Sequence, residues 1–155
     1  MTVDEEEIAN AILLLLEIEK TVAEGAGATP LAALVNKKVA LQGKTVALIL
    51  SGGNIDVNVI SRIIERGLVK DGRLVRLSVL LQDRPGALAR LTGLIAETRA
   101  NILHITHDRA FSRSRIGETE VELTLETSGR EQIEAVKRHL VDAGYRVQEV
   151  IPGPR

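Results

Sequence analysis

Residues 74–103 read LVRLSVLLQDRPGALARLTGLIAETRANIL. Val75, Leu77, Val79 and Leu81 alternate with other residues, the pattern of a strand with one face turned inward. Gln82-Asp83-Arg84-Pro85-Gly86 breaks that pattern as a loop, and Leu88, Leu91, Ile95 and Thr98 then recur at helical spacing up to about Arg99. A second strand is predicted over 101–111, broken at 112–117. In the third, Val121, Leu123 and Leu125 point one way, while Glu118, Glu120, Glu122 and Glu126 point the other and keep that face wet. Ser128 to Glu131 reads as a capping box opening a helix with Ile133, Val136 and Leu140, which stops at Gly144. Tyr145, Val147, Glu149 and Ile151 predict a last strand. The order βαββαβ within residues 74–151 is the ferredoxin-like split βαβ.

The preceding residues behave differently. Residues 4–23 predict a helix: Asp4 is the N-cap, Glu5, Glu6 and Glu7 suit the positive helix end, and Ile8, Ile12, Leu15, Ile18 and Val22 form a stripe. Glu24-Gly25-Ala26-Gly27-Ala28 is expected to break it, and Thr29-Pro30 to restart a short helix with Leu31, Leu34 and Val35. Residues 45–50 are a continuous β-rich apolar run, expected to be a strand buried on both faces of a parallel sheet. After Ser51-Gly52-Gly53-Asn54, residues 56–68 return to helical spacing through Val59, Ile63 and Leu68. One strand is not a sheet, so this half requires partners for its backbone groups.

Composition narrows the function classes. With 45% hydrophobic and 26% charged residues in 155, the chain is expected to fold rather than stay disordered. A net charge of −1 gives no electrostatic reason to bind nucleic acid or an anionic membrane. Phe111 and Tyr145, with no Trp, cannot build a base-stacking platform. The absence of Cys excludes disulfides and thiolate chemistry and fits a cytoplasmic location. Residues 11–16 are too few to span a bilayer and follow acidic residues where a signal peptide would be basic.

Glu24-Gly25-Ala26-Gly27-Ala28, Leu31-Ala32-Ala33-Leu34 and Gly43-Lys44 leading into Ser51-Gly52-Gly53-Asn54-Ile55-Asp56 resemble the last part of the catalytic domain of threonine and serine dehydratases. These are pyridoxal-phosphate enzymes of the tryptophan-synthase β type (fold type II). The resemblance implies that Ser51 meets the pyridine nitrogen of the cofactor, with Gly52 and Gly53 as the wall beside the ring and Glu24 near the same end. A neutral hydroxyl there leaves the ring a weaker electron sink, which suits β-elimination. The lysine that holds the cofactor covalently in this family, and the tetraglycine loop for its phosphate, have no counterpart in this sequence; Lys44 reads as a solvated strand-entry charge. No catalytic residue is therefore expected here, and the chain alone is expected to be inactive.

Asp83-Arg84-Pro85-Gly86-Ala87-Leu88, a helix, and then Asn101-Ile102 resemble an ACT domain, the amino-acid-sensing module of many biosynthetic enzymes. The physics agrees, since Pro85 and Gly86 lead into a helix N-terminus whose free N–H groups suit a carboxylate. Asp83 suits an ammonium group, Gly86 leaves room, and Leu88 suits an aliphatic side chain. In ACT dimers this loop faces the start of the neighbour's second strand, here Asn101-Ile102. The fold class that results is α/β then α+β: residues 1–72 as the end of a pyridoxal-phosphate domain and 73–155 as an ACT domain.

The expected function is the C-terminal part of a threonine dehydratase, which converts threonine to 2-oxobutanoate and ammonia. Its ACT domain would sense isoleucine or valine at a homo-oligomer interface. The alternatives are a stand-alone, non-enzymatic ACT sensor or regulatory subunit, and an assembly module that binds nothing. His104 and His107, three apart on a strand, point to opposite faces and read as sheet-surface residues, so no metal site is expected. Arg109, Arg113 and Arg115 read as partners of Glu118 and Glu120.

Overall fold

A computed structural model describes residues 1–107, 115 and 117–150. The chain forms two compact units, 1–67 and 68–155, divided within a helix. The expected ends of the second strand beyond His107, Arg109, Arg113 and Ile151 lie outside the described residues.

The first unit is built from helices. Asp4 caps α1 (Glu5–Glu17): its Oδ1 accepts the Glu7 N–H at 2.8 Å and Glu7 Oε2 accepts the Asp4 N–H at 3.0 Å. The helix is shorter than its apolar stripe suggests. Lys20 turns into the left-handed region at φ 55°, and the Thr21 N–H closes on the Leu15 carbonyl, which leaves Val22 outside the helix and exposed. The glycine-rich stretch, expected to be a break, is instead the first turn of α2 (Gly25–Val35). Pro30 lies inside that helix rather than at its start; the carbonyl it leaves without a backbone partner belongs to Ala26, on the exposed side. Helix α3 (Val57–Lys70) starts where Asp56 Oδ1 accepts the Asn58 N–H at 2.7 Å. Ala11, Ile12, Leu15, Ala28, Ala32 and Ile63 share one small core.

Residues 45–50 depart most from expectation. They form no strand, and Ile49 is 81% exposed and Leu50 42%. Among the described residues this unit contains no strand, so its expected α/β character is not realised in this chain. The reason is the one the backbone imposes: no neighbouring strand among the described residues offers partners for their N–H and C=O groups, and the segment lies mostly exposed.

The second unit has the expected order: β1 (Leu74–Gln82), α4 (Ala87–Glu97), β2 (Asn101–His107), β3 (Glu118–Glu126), α5 (Arg130–Asp142) and β4 (Arg146–Glu149). The four strands lie in the order β2-β3-β1-β4, all antiparallel. β1 and β3 pair along their whole length, Leu77 opposite Leu123 and Leu81 opposite Thr119. Val75, Leu77, Val79, Leu81, Val121, Leu123 and Leu125 turn to one face, where Leu91 and Ile95 of α4 and Ile133, Val136 and Leu140 of α5 cover them. Burying side chains of this size stabilises by about 1.5–3 kcal/mol each before chain entropy is counted. The capping box expected at Ser128 does not form. Gly129 is the N-cap without a side-chain bond, and Gln132 Oε1, not Glu131, reaches back to the Ser128 N–H at 2.7 Å. No helix among the described residues is long and apolar enough to cross a membrane.

Candidate functional site

At its C-terminal end β1 runs into the loop 83–86 and then the first turn of α4. Asp83 N–H donates to the Gly117 carbonyl at 2.9 Å, which ties the loop to the start of β3. Gly86 takes φ 83°, a conformation that suits glycine, and serves as the N-cap of α4 with no side-chain bond to the helix. The Ala87 N–H bonds to the Arg84 carbonyl at 3.2 Å.

Asp83, Arg84, Pro85, Gly86, Ala87 and Leu88 together line a cavity of about 170 Å³. All six residues singled out in this loop are thus brought to one place. The same cavity is also lined by His107 and Thr119, which the sequence does not single out for this site. His107 pairs with Val121 and Thr119 with Leu81, and cross-strand partners share a face, so both side chains turn to the helix-covered side. His104 pairs with Thr124 and turns to the other side. His107 is therefore not the sheet-surface residue it reads as. Its Nε2 is buried without a hydrogen-bond partner among the described residues, and so is Thr119 Oγ1. A buried polar group left dry costs about 1–3 kcal/mol. A wider cavity of about 560 Å³ also borders the loop, with Arg84, Arg90 and Tyr145 among its lining residues.

Asn101 and Ile102 do not reach this loop within one chain. They start β2 opposite Glu126 and Leu125, at the end of the sheet away from Leu81, and Asn101 Nδ2 donates to Glu126 Oε2 at 3.2 Å.

In the first unit, the Ser51-Gly52-Gly53 turn lies against the start of α2. Glu24 N–H donates to the Gly52 carbonyl at 3.1 Å. A Cβ on Gly27 would overlap the Ser51 carbonyl oxygen, and one on Gly52, at φ 77°, would overlap the Glu24 carboxylate. The small residues of α2 therefore serve close backbone approach. Ser51, Gly52 and Gly53 are all exposed. The cavity of about 580 Å³ that Glu24, Asn54 and Asp56 line does not include them, and its basic residues are Arg62 and Arg66, with no lysine. These residues do not by themselves enclose pyridoxal phosphate, and no chemical step follows from them. Lys44 is exposed, as expected of a solvated charge. Lys38, held by a 2.8 Å ion pair to Glu7, has its pKa raised by that hydrogen bond. No group of three or more potential metal ligands occurs among the described residues.

The family model that matches this chain is the ACT domain, over residues 75–143. Residues 75–143 are an ACT domain. The match spans the loop and cavity just described, from β1 to the end of α5. Beyond the ACT domain, the chain is similar to an L-threonine ammonia-lyase of Geobacter sulfurreducens, 58% identical over 94% of this chain and 36% of that protein. An L-threonine ammonia-lyase of Thermotoga maritima is 51% identical over 97% of this chain and 37% of that protein. The chain thus spans little more than a third of the length of these relatives. Among solved structures, the ACT domain from a GTP pyrophosphokinase of Chlorobium tepidum covers 50% of this chain and 96% of its own, at 16% identity and a TM-score of 0.41.

Proposed function

We propose that this chain is the C-terminal part of a cytoplasmic L-threonine ammonia-lyase and carries that enzyme's amino-acid-sensing ACT domain. The observation that carries this reading is identity of 51–58% to proteins of that name over 94–97% of the chain, across both units. The whole protein would remove water and then ammonia from threonine to give 2-oxobutanoate, with pyridoxal phosphate as cofactor. Ser51, Gly52 and Gly53 would supply one wall of that cofactor's pocket, the rest coming from residues outside this chain. Exposed Ile49 and Leu50 fit a segment that finds its sheet partners there.

In the ACT domain, the first turn of α4 would take the carboxylate of an amino acid and Asp83 its ammonium group. A second copy of the chain would bring Asn101 and Ile102 to the loop; β2 is an edge strand with Leu103 and Ile105 exposed, which supports assembly at that edge. The effector would act by binding one state of the enzyme more tightly than the other. Isoleucine or valine is the effector class that the resemblance implies.

The test has two arms. Pure protein given L-threonine and pyridoxal phosphate is expected to form no 2-oxobutanoate; measurable product would overturn the assignment of the missing catalytic groups. Calorimetric titration with isoleucine, valine, threonine and serine is expected to show saturable binding by at least one, lost in Asp83→Ala. No binding by any of the four would overturn the sensor reading.

A further inference from the structure

The cavity beneath the Asp83 loop carries more chemistry than an aliphatic side chain can use. Its inward ladder on β3 is Thr119, Val121, Leu123 and Leu125, and only the first is polar. Thr119 is 1% exposed, and its Oγ1 has no hydrogen-bond partner among the described residues. Valine would fill the same volume without that unmet hydroxyl. Beside it His107 Nε2, on the adjacent strand and the same face, is also buried and without a partner among the described residues. Both residues line the one cavity of about 170 Å³. A hydroxyl both donates and accepts, and an imidazole nitrogen does one or the other according to its tautomer. The two atoms together therefore complement a ligand hydroxyl in either orientation.

Size narrows the class. A cavity of about 150 Å³ accommodates a benzene-sized molecule of six heavy atoms. Serine and threonine, with seven and eight heavy atoms in all, are close to that size. We infer that the ACT effector is a small hydroxyl-bearing amino acid, serine or threonine, whose side-chain hydroxyl is received by Thr119 Oγ1 and His107 Nε2. This rests on the amino-acid-sensor reading above and departs from the isoleucine or valine that the resemblance implies. An aliphatic effector would displace water from both atoms and leave them dry, the situation in which a polar site rejects the analogue lacking the polar group.

The decisive comparison is L-threonine against L-valine, which differ by a hydroxyl in place of a methyl group. Titration calorimetry of the full 155-residue chain is expected to give threonine or serine at least about tenfold tighter binding than valine. Thr119→Val should shrink the advantage to within about threefold without weakening valine, while Thr119→Ser should retain it. Tighter binding of valine or isoleucine, or equal binding of all four, would overturn the polar-floor inference and leave the sensor reading standing. Binding by none would remove the sensor reading and this inference with it. Should Thr119→Val fail to fold by circular dichroism, the unmodified chain still decides. The His107 ring nitrogen resonance must move on adding threonine and stay in place on adding valine, and the reverse overturns the assignment.

Discussion

Gly27→Ala and Gly93→Ala form a matched pair whose signs should differ. Both glycines lie in helices, α2 and α4, where alanine is intrinsically preferred by about 0.8–1.0 kcal/mol in a helix interior. Gly93 has nothing within 4 Å of an added Cβ, so Gly93→Ala should stabilise the ACT unit by about 0.5–1 kcal/mol. At Gly27 the same Cβ would overlap the Ser51 carbonyl oxygen and lie 3.3 Å from the Gly52 carbonyl oxygen. Backbone atoms cannot swing aside as a side-chain end can, and overpacking costs about 1–3 kcal/mol. The propensity gain is at most about 1 kcal/mol in this first turn. Gly27→Ala should therefore be destabilising by up to about 2 kcal/mol, and its effect should be confined to the first unit. Hydrogen exchange resolved by residue reads both effects in one experiment: protection should fall in α1 and α2 for Gly27→Ala and rise in α4 for Gly93→Ala. If Gly27→Ala stabilises as Gly93→Ala does, the 51–53 turn does not lie on α2 and the reading of the small residues is wrong.

Three further outcomes follow from the same reasoning. Leu123→Ala, fully buried between β1 and β2, should cost about 2–5 kcal/mol in urea unfolding of the second unit, and a loss below 1 kcal/mol would contradict the core as described. Asp4→Ala removes a reciprocal cap and should lower protection in α1 by about 0.5–2 kcal/mol in hydrogen exchange, with β1 and β3 unchanged. The Lys137 ammonium, chiefly through its hydrogen bond, holds the Glu134 carboxyl below its ordinary value of 4.5. Its contribution is thus complete above that ordinary value and is lost as pH falls through the lowered one. Both groups meet solvent, so the effect should be small. Thermal scans of Glu134→Gln against the unaltered chain should differ above pH 4.5 and converge in stronger acid.

The site divides unevenly between what residues announce and what folding assembles. Asp83-Arg84-Pro85-Gly86 announces a loop into a helix start because proline and glycine act on their own backbone, and that effect is local. His107 and Thr119 announce nothing, because they lie far apart in sequence and meet only through the register of β2 on β3 and of β3 on β1. The available signal was faint: Thr119 shares the period of Val121, Leu123 and Leu125 while being polar. In the first unit, the glycines of α2 conceal their role for the opposite reason. Glycine weakens an isolated helix, but it is also the residue that lets two backbones touch, and only the position of Ser51 and Gly52 separates those roles.

The sequence by itself determined most of the second unit, because β1, β3, α4 and α5 each declare a buried face through their own periodicity and those faces close on one core. It also determined the cap of α1, a contact between residues three apart. Tertiary structure decided the fate of residues 45–50, whose apolar run suits a buried strand but whose hydrogen bonds belong to neighbours that no local pattern supplies. It decided, too, that the floor beneath the Asp83 loop is polar, since strand register, which is a property of pairs, sets which side chains share a cavity.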